Sequence, residues 1–286
     1  MGSFSKATVD RMINNTSLRG RSYCVYCKKS LRWYDLIPLF SYLLLKGRCR
    51  FCRKNIPIEN LLFEAVLGII VGVLFWVTVL PDIGLLISPA PATIIFLLDL
   101  IFKLFVIVVL AIIFWVDLKT GLIPDRLTYP AIIAAIFYLL LLSGLKSFIF
   151  YQSLQGSLLG EYLMPPVSNY FLDHLQRIWT PVFLAIGSAV VLSGVFAFLI
   201  IITKGKGMGW GDVKYVGFLG LVLGFPESLA AVFLAFLAGA IISLGLMALR
   251  IKRLGQTVPF GPFLSFGALI ALFFGRQIID WYLRIF

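Results

Sequence analysis

The stretch Phe114-Trp115-Val116-Asp117-Leu118-Lys119-Thr120-Gly121-Leu122-Ile123-Pro124-Asp125-Arg126-Leu127-Thr128-Tyr129-Pro130 decides the fold. An apolar run long enough to cross a bilayer ends abruptly in an aspartate. A short polar segment follows, carrying a second aspartate, and then another apolar run begins. An ionisable carboxyl at the lip of a membrane span is costly, and such residues tend to be functional. The question this stretch poses is what partner Asp117 has.

Working outward, hydrophobic residues make up 60% of the 286 and charged residues 13%, with a mean hydropathy of +1.00. A soluble domain carries roughly twice that charged fraction. The chain reads as an all-α polytopic membrane protein with about seven transmembrane helices and a small N-terminal cytoplasmic four-cysteine zinc module. Residues 1–58 form the basic module and residues 59–286 the transmembrane domain. The spans fall at 59–80, 92–116, 127–145, 179–203, a short apolar stretch at 213–224, then 228–249 and 258–279.

All four cysteines lie in the first 52 residues, as Cys24-x2-Cys27 and Cys49-x2-Cys52 separated by twenty-one residues. Each pair makes a tight knuckle that aims two thiolates at one point, and two knuckles build a closed tetrahedral four-sulfur site, so the bound Zn2+ is structural. A pair of disulfides is the competing reading, and a reducing cytoplasm argues against it. Residues 1–58 hold twelve Lys/Arg against two acids. That excess is what the positive-inside rule asks of a cytoplasmic segment. Its partners are anionic lipids, and no nucleic-acid binding is expected. No cleavable signal peptide is visible.

With the basic module inside, alternation places the loops at 117–126, 204–212 and 250–257 on the same cytoplasmic side, and these loops carry Lys and Arg. The outer loops at 81–91 and 225–227 carry neither, and the longer loop at 146–178 has only Lys146 and Arg177. Separate loops therefore agree on one orientation. Within the second span, Asp99 and Lys103 lie four apart on one helix face and read as a self-neutralising ion pair. The only histidine, His174, reads as a solvated residue of the 146–178 loop.

The acids sort by position. Asp117, Asp125 and Asp212 sit at the cytoplasmic edge, with Glu59 and Glu64 nearby. Asp117 ends one span and Asp212 begins another, so two packed helices would bring these carboxyls to one depth. Close carboxyls do not both ionise, and such a pair can activate a water and protonate a leaving amine. Equally, each aspartate can cap a helix or anchor the interface; the pattern alone leaves both readings open. The glycines before Asp212, including Gly207, Gly209 and Gly211, fit no phosphate-binding fingerprint. They read as a segment open to close approach by another backbone, such as an extended substrate.

These residues resemble a known family. Asp117 to Pro130, and Gly207-Met-Gly-Trp-Gly-Asp212-Val-Lys214, are similar to the two signatures of the prepilin peptidases (type IV leader peptidases). The four-cysteine module, the segment Ile56–Leu67 with Glu64, and Pro259-Phe-Gly-Pro-Phe263 resemble further family features in the family's order. The resemblance implies a membrane aspartic endopeptidase acting at the cytoplasmic face of the inner membrane. It would cut pilin-like precursors after the last glycine of a short basic leader. Asp117 and Asp212 would be catalytic, with Asp125, Lys214 and Glu64 supporting. N-methylation of the new terminus with S-adenosylmethionine is also implied. The family's usual apolar span ahead of the zinc module is missing, which suggests a truncated or late-starting chain. An ion-coupled transporter and a zinc-module assembly scaffold are the alternatives. The first lacks the internal repeats such proteins often show, and the second predicts no dependence on the aspartates.

Overall fold

The computed structural model describes residues 8–9, 11–12, 26–27, 29–30, 44–45, 47–55, 58–86, 90–157, 160–205, 208–250 and 258–285. Seven helices of 14 residues or more organise them: α1 (Ile58–Leu74), α2 (Ala90–Thr120), α3 (Asp125–Gln155), α4 (Tyr170–Thr203), α5 (Trp210–Leu223), α6 (Glu227–Ala248) and α7 (Gly261–Leu283). A π-helical turn, Phe75–Val79, prolongs α1, so six of the seven are long and apolar enough to cross a membrane. The protein is a multi-pass membrane protein. Only α5, with 14 residues, falls short of a span.

The helices end where backbone chemistry ends them. Gly121 closes α2 in the left-handed region (φ +66°), its N–H donating to the Asp117 carbonyl at 2.8 Å; such a conformation suits glycine. Pro124 precedes α3, and Pro262 lies in the first turn of α7, where a missing N–H costs nothing. One expectation is corrected. The predicted loop at 146–178 is mostly helix, because α3 runs on to Gln155 and α4 starts at Tyr170. The polar residues from Lys146 onward lower hydropathy without breaking a helix, and no glycine interrupts α3 between Gly144 and Gly156. His174 is corrected with it: it lies half-buried in α4, its ring stacked on Phe150 at 3.9 Å.

The short helix is the centre of the bundle. Every residue of α5 from Tyr215 to Leu221 is buried, against α3, α4, α6 and α7. A helix apolar all round is a buried one. Its largest side chains, Tyr215, Phe218 and Leu219, join Val106, Leu110 and Ile113 of α2, Phe196 of α4 and Leu264 of α7 in one core. Lipid tails are as apolar as leucine, so helices here associate through close packing. Gly220 supplies it: a Cβ there would lie 2.6 Å from the Ala189 backbone nitrogen of α4. On the other side, α1 packs on α2 through Phe63, Leu67 and Ile107. Near the N-terminus, Val9 is fully buried against Ile112 and Val116 of α2.

The charged pair inside α2 is satisfied as expected. Lys103 Nζ lies 2.7 Å from Asp99. Tyr138 of α3 adds a hydrogen bond of 2.9 Å to the other Asp99 oxygen while its ring stacks on Phe102 at 3.7 Å. The pair thus also ties α2 to α3.

Candidate active site

Asp117 stands in the last turn of α2 and is only 4% exposed. A buried carboxylate needs donors. Among the described residues one comes from another helix: the N–H of Gly261 donates to Asp117 Oδ2 at 2.9 Å. Gly261 opens α7, where backbone N–H groups lack helical partners and the helix dipole favours an anion. The residue after it is Pro262, with no N–H to offer. The approach depends on glycine, since a Cβ at 261 would sit 2.5 Å from Asp117 Oδ2.

Asp212 is the third residue of α5. Its carboxylate reaches back to accept the N–H of Gly209 at 3.1 Å, and its own N–H donates to the Gly209 carbonyl at 3.1 Å. This is the capping interaction of a helix start, made without a side chain at the cap. Burial pushes the Asp212 carboxyl up from its ordinary value, and the Gly209 N–H pulls it back down. Asp117 lies within reach of the charge of Asp212. Two helix ends far apart in sequence therefore bring two carboxyls into one electrostatic neighbourhood, each also held by a backbone N–H.

The loops around the pair are tied together. Lys214 Nζ donates to both oxygens of Asp125, at 2.9 and 3.0 Å, and lies 4.9 Å from the Tyr129 ring centroid. These side chains are partly exposed, so the pair adds little stability; what it does is hold the start of α3 against α5. Gly211 approaches Ile123 so closely that a Cβ would lie 3.1 Å from the Ile123 Cβ. The close approach expected of this glycine is thus made to the chain's own 121–124 turn. Glu59 of α1 pairs with Lys119, which also sits over the Trp115 ring at 5.6 Å. Glu64 is half-buried further along α1, next to Phe63, whose ring meets Trp115 edge-on at 5.4 Å. Gly207 lies outside the described residues.

Cys27, Cys49 and Cys52 have sulfurs all within 4.8 Å of one another; Cys24 lies outside the described residues. Sulfurs on one tetrahedral Zn2+ at ~2.3 Å are about 3.8 Å apart, so this cluster is of the right size and chemistry for a metal. The second knuckle has a defined turn. The Arg53 N–H donates to the Cys49 carbonyl at 2.9 Å, with Arg53 itself left-handed at φ +54°.

Sequence reasoning gave no role to Gly261, Glu59 or Lys119. Gly261 sat inside the Pro259–Phe263 motif, and the proline after it marked a helix start; nothing in the sequence says which carboxylate the free N–H would meet.

Comparison with known proteins places these features in context. Residues 1–78 match the model of the bacterial peptidase A24 N-terminal domain, and residues 104–244 match that of the type IV leader peptidase family. A prepilin leader peptidase/N-methyltransferase of Aeromonas salmonicida (strain A449) is 32% identical over 263 residues, 92% of this chain and 74% of the relative. One of Aeromonas hydrophila is 30% identical over 93% of this chain and 76% of the relative. One of Legionella pneumophila is 26% identical over 92% and 75%. No solved structure matches the chain.

Proposed function

From the premise that the chain belongs to the type IV leader peptidase family, we propose that it is an aspartic endopeptidase with Asp117 and Asp212 as its catalytic pair. Its substrates are prepilin-like precursors, cut after the glycine that ends a short basic leader. The active end faces the cytoplasm from the inner membrane, as the distribution of Lys and Arg among the loops suggests. The observation that carries the reading is that Asp117, buried at the end of α2, and Asp212, at the start of α5, are each held by a backbone N–H, from Gly261 and Gly209.

Such a pair works as a unit holding one proton. The ionised carboxyl takes a proton from a water as its oxygen attacks the scissile carbonyl carbon. The protonated carboxyl first hydrogen-bonds the carbonyl oxygen, and a proton reaches the leaving amine as the C–N bond breaks. The Gly261 and Gly209 N–H groups fix the two carboxyls in place. Asp125 and Lys214 hold the loops that frame them.

The cysteine cluster takes a structural Zn2+, with Cys24 completing the set. Cytoplasmic Lys and Arg engage anionic headgroups, and nucleic acid is not a partner. The relatives' shared name supports N-methylation of the new terminus with S-adenosylmethionine. Among the described residues no side-chain set marks a site for that donor. Mass spectrometry of the mature product tests the activity: a methylated amine supports it and a free amine rejects it.

The decisive experiment co-expresses the protein with a prepilin-like precursor and compares wild type, Asp117→Asn and Asp212→Asn. Neither variant is expected to release the leader. Processing that survives either substitution removes the paired-carboxylate reading.

A further inference from the structure

Behind the Gly261–Asp117 contact lie two hydroxyls that the chemistry above does not use. Tyr215, one turn beyond Asp212 on α5, and Ser265, on α7, are both fully buried. Their side-chain oxygens are 2.7 Å apart. Ser265 Oγ also donates to the Gly261 carbonyl at 2.9 Å. A serine hydroxyl has a single hydrogen, and this one goes to Gly261, so Tyr215 is the donor to Ser265. The order is therefore fixed. Tyr215 O–H donates to Ser265, Ser265 O–H donates to the Gly261 carbonyl, and the Gly261 N–H donates to Asp117.

We infer that Tyr215 and Ser265 are positioning residues for Asp117, fixing Gly261 so that its N–H aims the Asp117 carboxylate at Asp212. This rests on the aspartic reading above. The argument is one of connectivity. A single rigid helix, α5, carries both Asp212 and Tyr215. From Tyr215 the hydrogen bonds run through α7 to the Asp117 side chain on α2. The chain of bonds thus joins the helix of one acid to the side chain of the other, and its length sets their separation. Gly261 has no side chain with which to hold itself, and its neighbour Pro262 has no N–H to substitute for it. A reacting pair tolerates little misplacement, since about 1 Å can cost on the order of 100-fold in rate.

The bland role for such hydroxyls is mutual satisfaction in a buried core, and the test separates the two. Four variants are purified in detergent: Tyr215→Phe, Ser265→Ala, the double Tyr215→Phe/Ser265→Ala, and Asp117→Asn. Precursor cleavage is resolved into kcat and KM, and Tm is measured for each. Ser265→Ala leaves the Tyr215 hydroxyl without its acceptor and lowers Tm. The double variant removes both partners and recovers most of that loss, because an apolar pair leaves nothing unsatisfied. On the positioning role, kcat falls by about three- to tenfold in Ser265→Ala and stays low in the double variant. KM is unchanged in both, and Tyr215→Phe shows a smaller loss of kcat. If kcat recovers in the double variant together with Tm, the hydroxyls only satisfy the core and the inference is overturned. It is equally overturned if kcat stays within twofold of wild type in every hydroxyl variant while Asp117→Asn is inactive. An active Asp117→Asn instead removes the aspartic reading itself.

Discussion

A methyl group on Gly261 would sit 2.5 Å from Asp117 Oδ2 and 3.0 Å from its Cγ. Asp117 is nearly buried, and its donor is the N–H of that same glycine. Gly261→Ala therefore displaces the carboxylate and is expected to lower precursor cleavage by about 100-fold while both aspartates remain; cleavage within twofold of wild type contradicts the contact. The pair also predicts a pH profile. On the proposed aspartic mechanism, activity needs one proton shared between two carboxyls, so it is lost when both are protonated and again when both ionise. Burial raises Asp212, which moves the alkaline limb above the ordinary aspartate value of about 3.9. Cleavage rates should trace a bell, and a profile still rising at about pH 9 contradicts a shared proton. At this scale the charged residues were legible, because acids are scarce in so apolar a chain and each one stands out. Which two belong together was not legible from pattern, and helix capping competed on equal terms; Asp212 does in fact bond the start of its own helix. Gly261, Tyr215 and Ser265 were silent, since a glycine and two neutral hydroxyls carry no signal until their neighbours are known.

At the scale of elements, α5 does most to position the site, because its stretch from Tyr215 to Leu221 is buried on every side and it carries Asp212 and Tyr215. Its fit against α4 depends on Gly220, where any Cβ meets backbone. Gly220→Ala is expected to destabilise the protein by about 1–3 kcal/mol through overpacking. Gly245→Ala in α6, where nothing lies within 4 Å, should leave Tm unchanged or slightly raised. Thermal unfolding in detergent checks both, and equal effects would contradict the packing argument. The spans themselves were readable because a run of apolar residues is the physical requirement for crossing a bilayer. Their ends were read less well. The helices α3 and α4 continue past the apolar stretch into polar sequence, where hydrogen bonding rather than hydropathy decides the boundary. The stacking of His174 on Phe150 is a contact between two such extensions.

At the scale of the whole molecule, the cysteine cluster makes a prediction that does not depend on the aspartates. If the cluster holds a structural Zn2+, Cys49→Ser lowers bound zinc from about one ion per chain towards none. Metal analysis of the purified protein reads this, and zinc content equal to wild type rules the cluster out as the site. The spacing of the four cysteines was sufficient to propose the metal, because ligand spacing is itself the geometric constraint. The seven apolar stretches were likewise visible, but not that the shortest would be the most buried. That shortness bears on water. A helix of 14 residues rises about 21 Å, against about 30 Å of hydrocarbon. Within its ring of longer helices α5 therefore fills only about two thirds of that depth. The start of α5, which carries Asp212, can then face a hydrated dent, and a hydrolytic reaction gains its co-substrate without a channel across the bilayer.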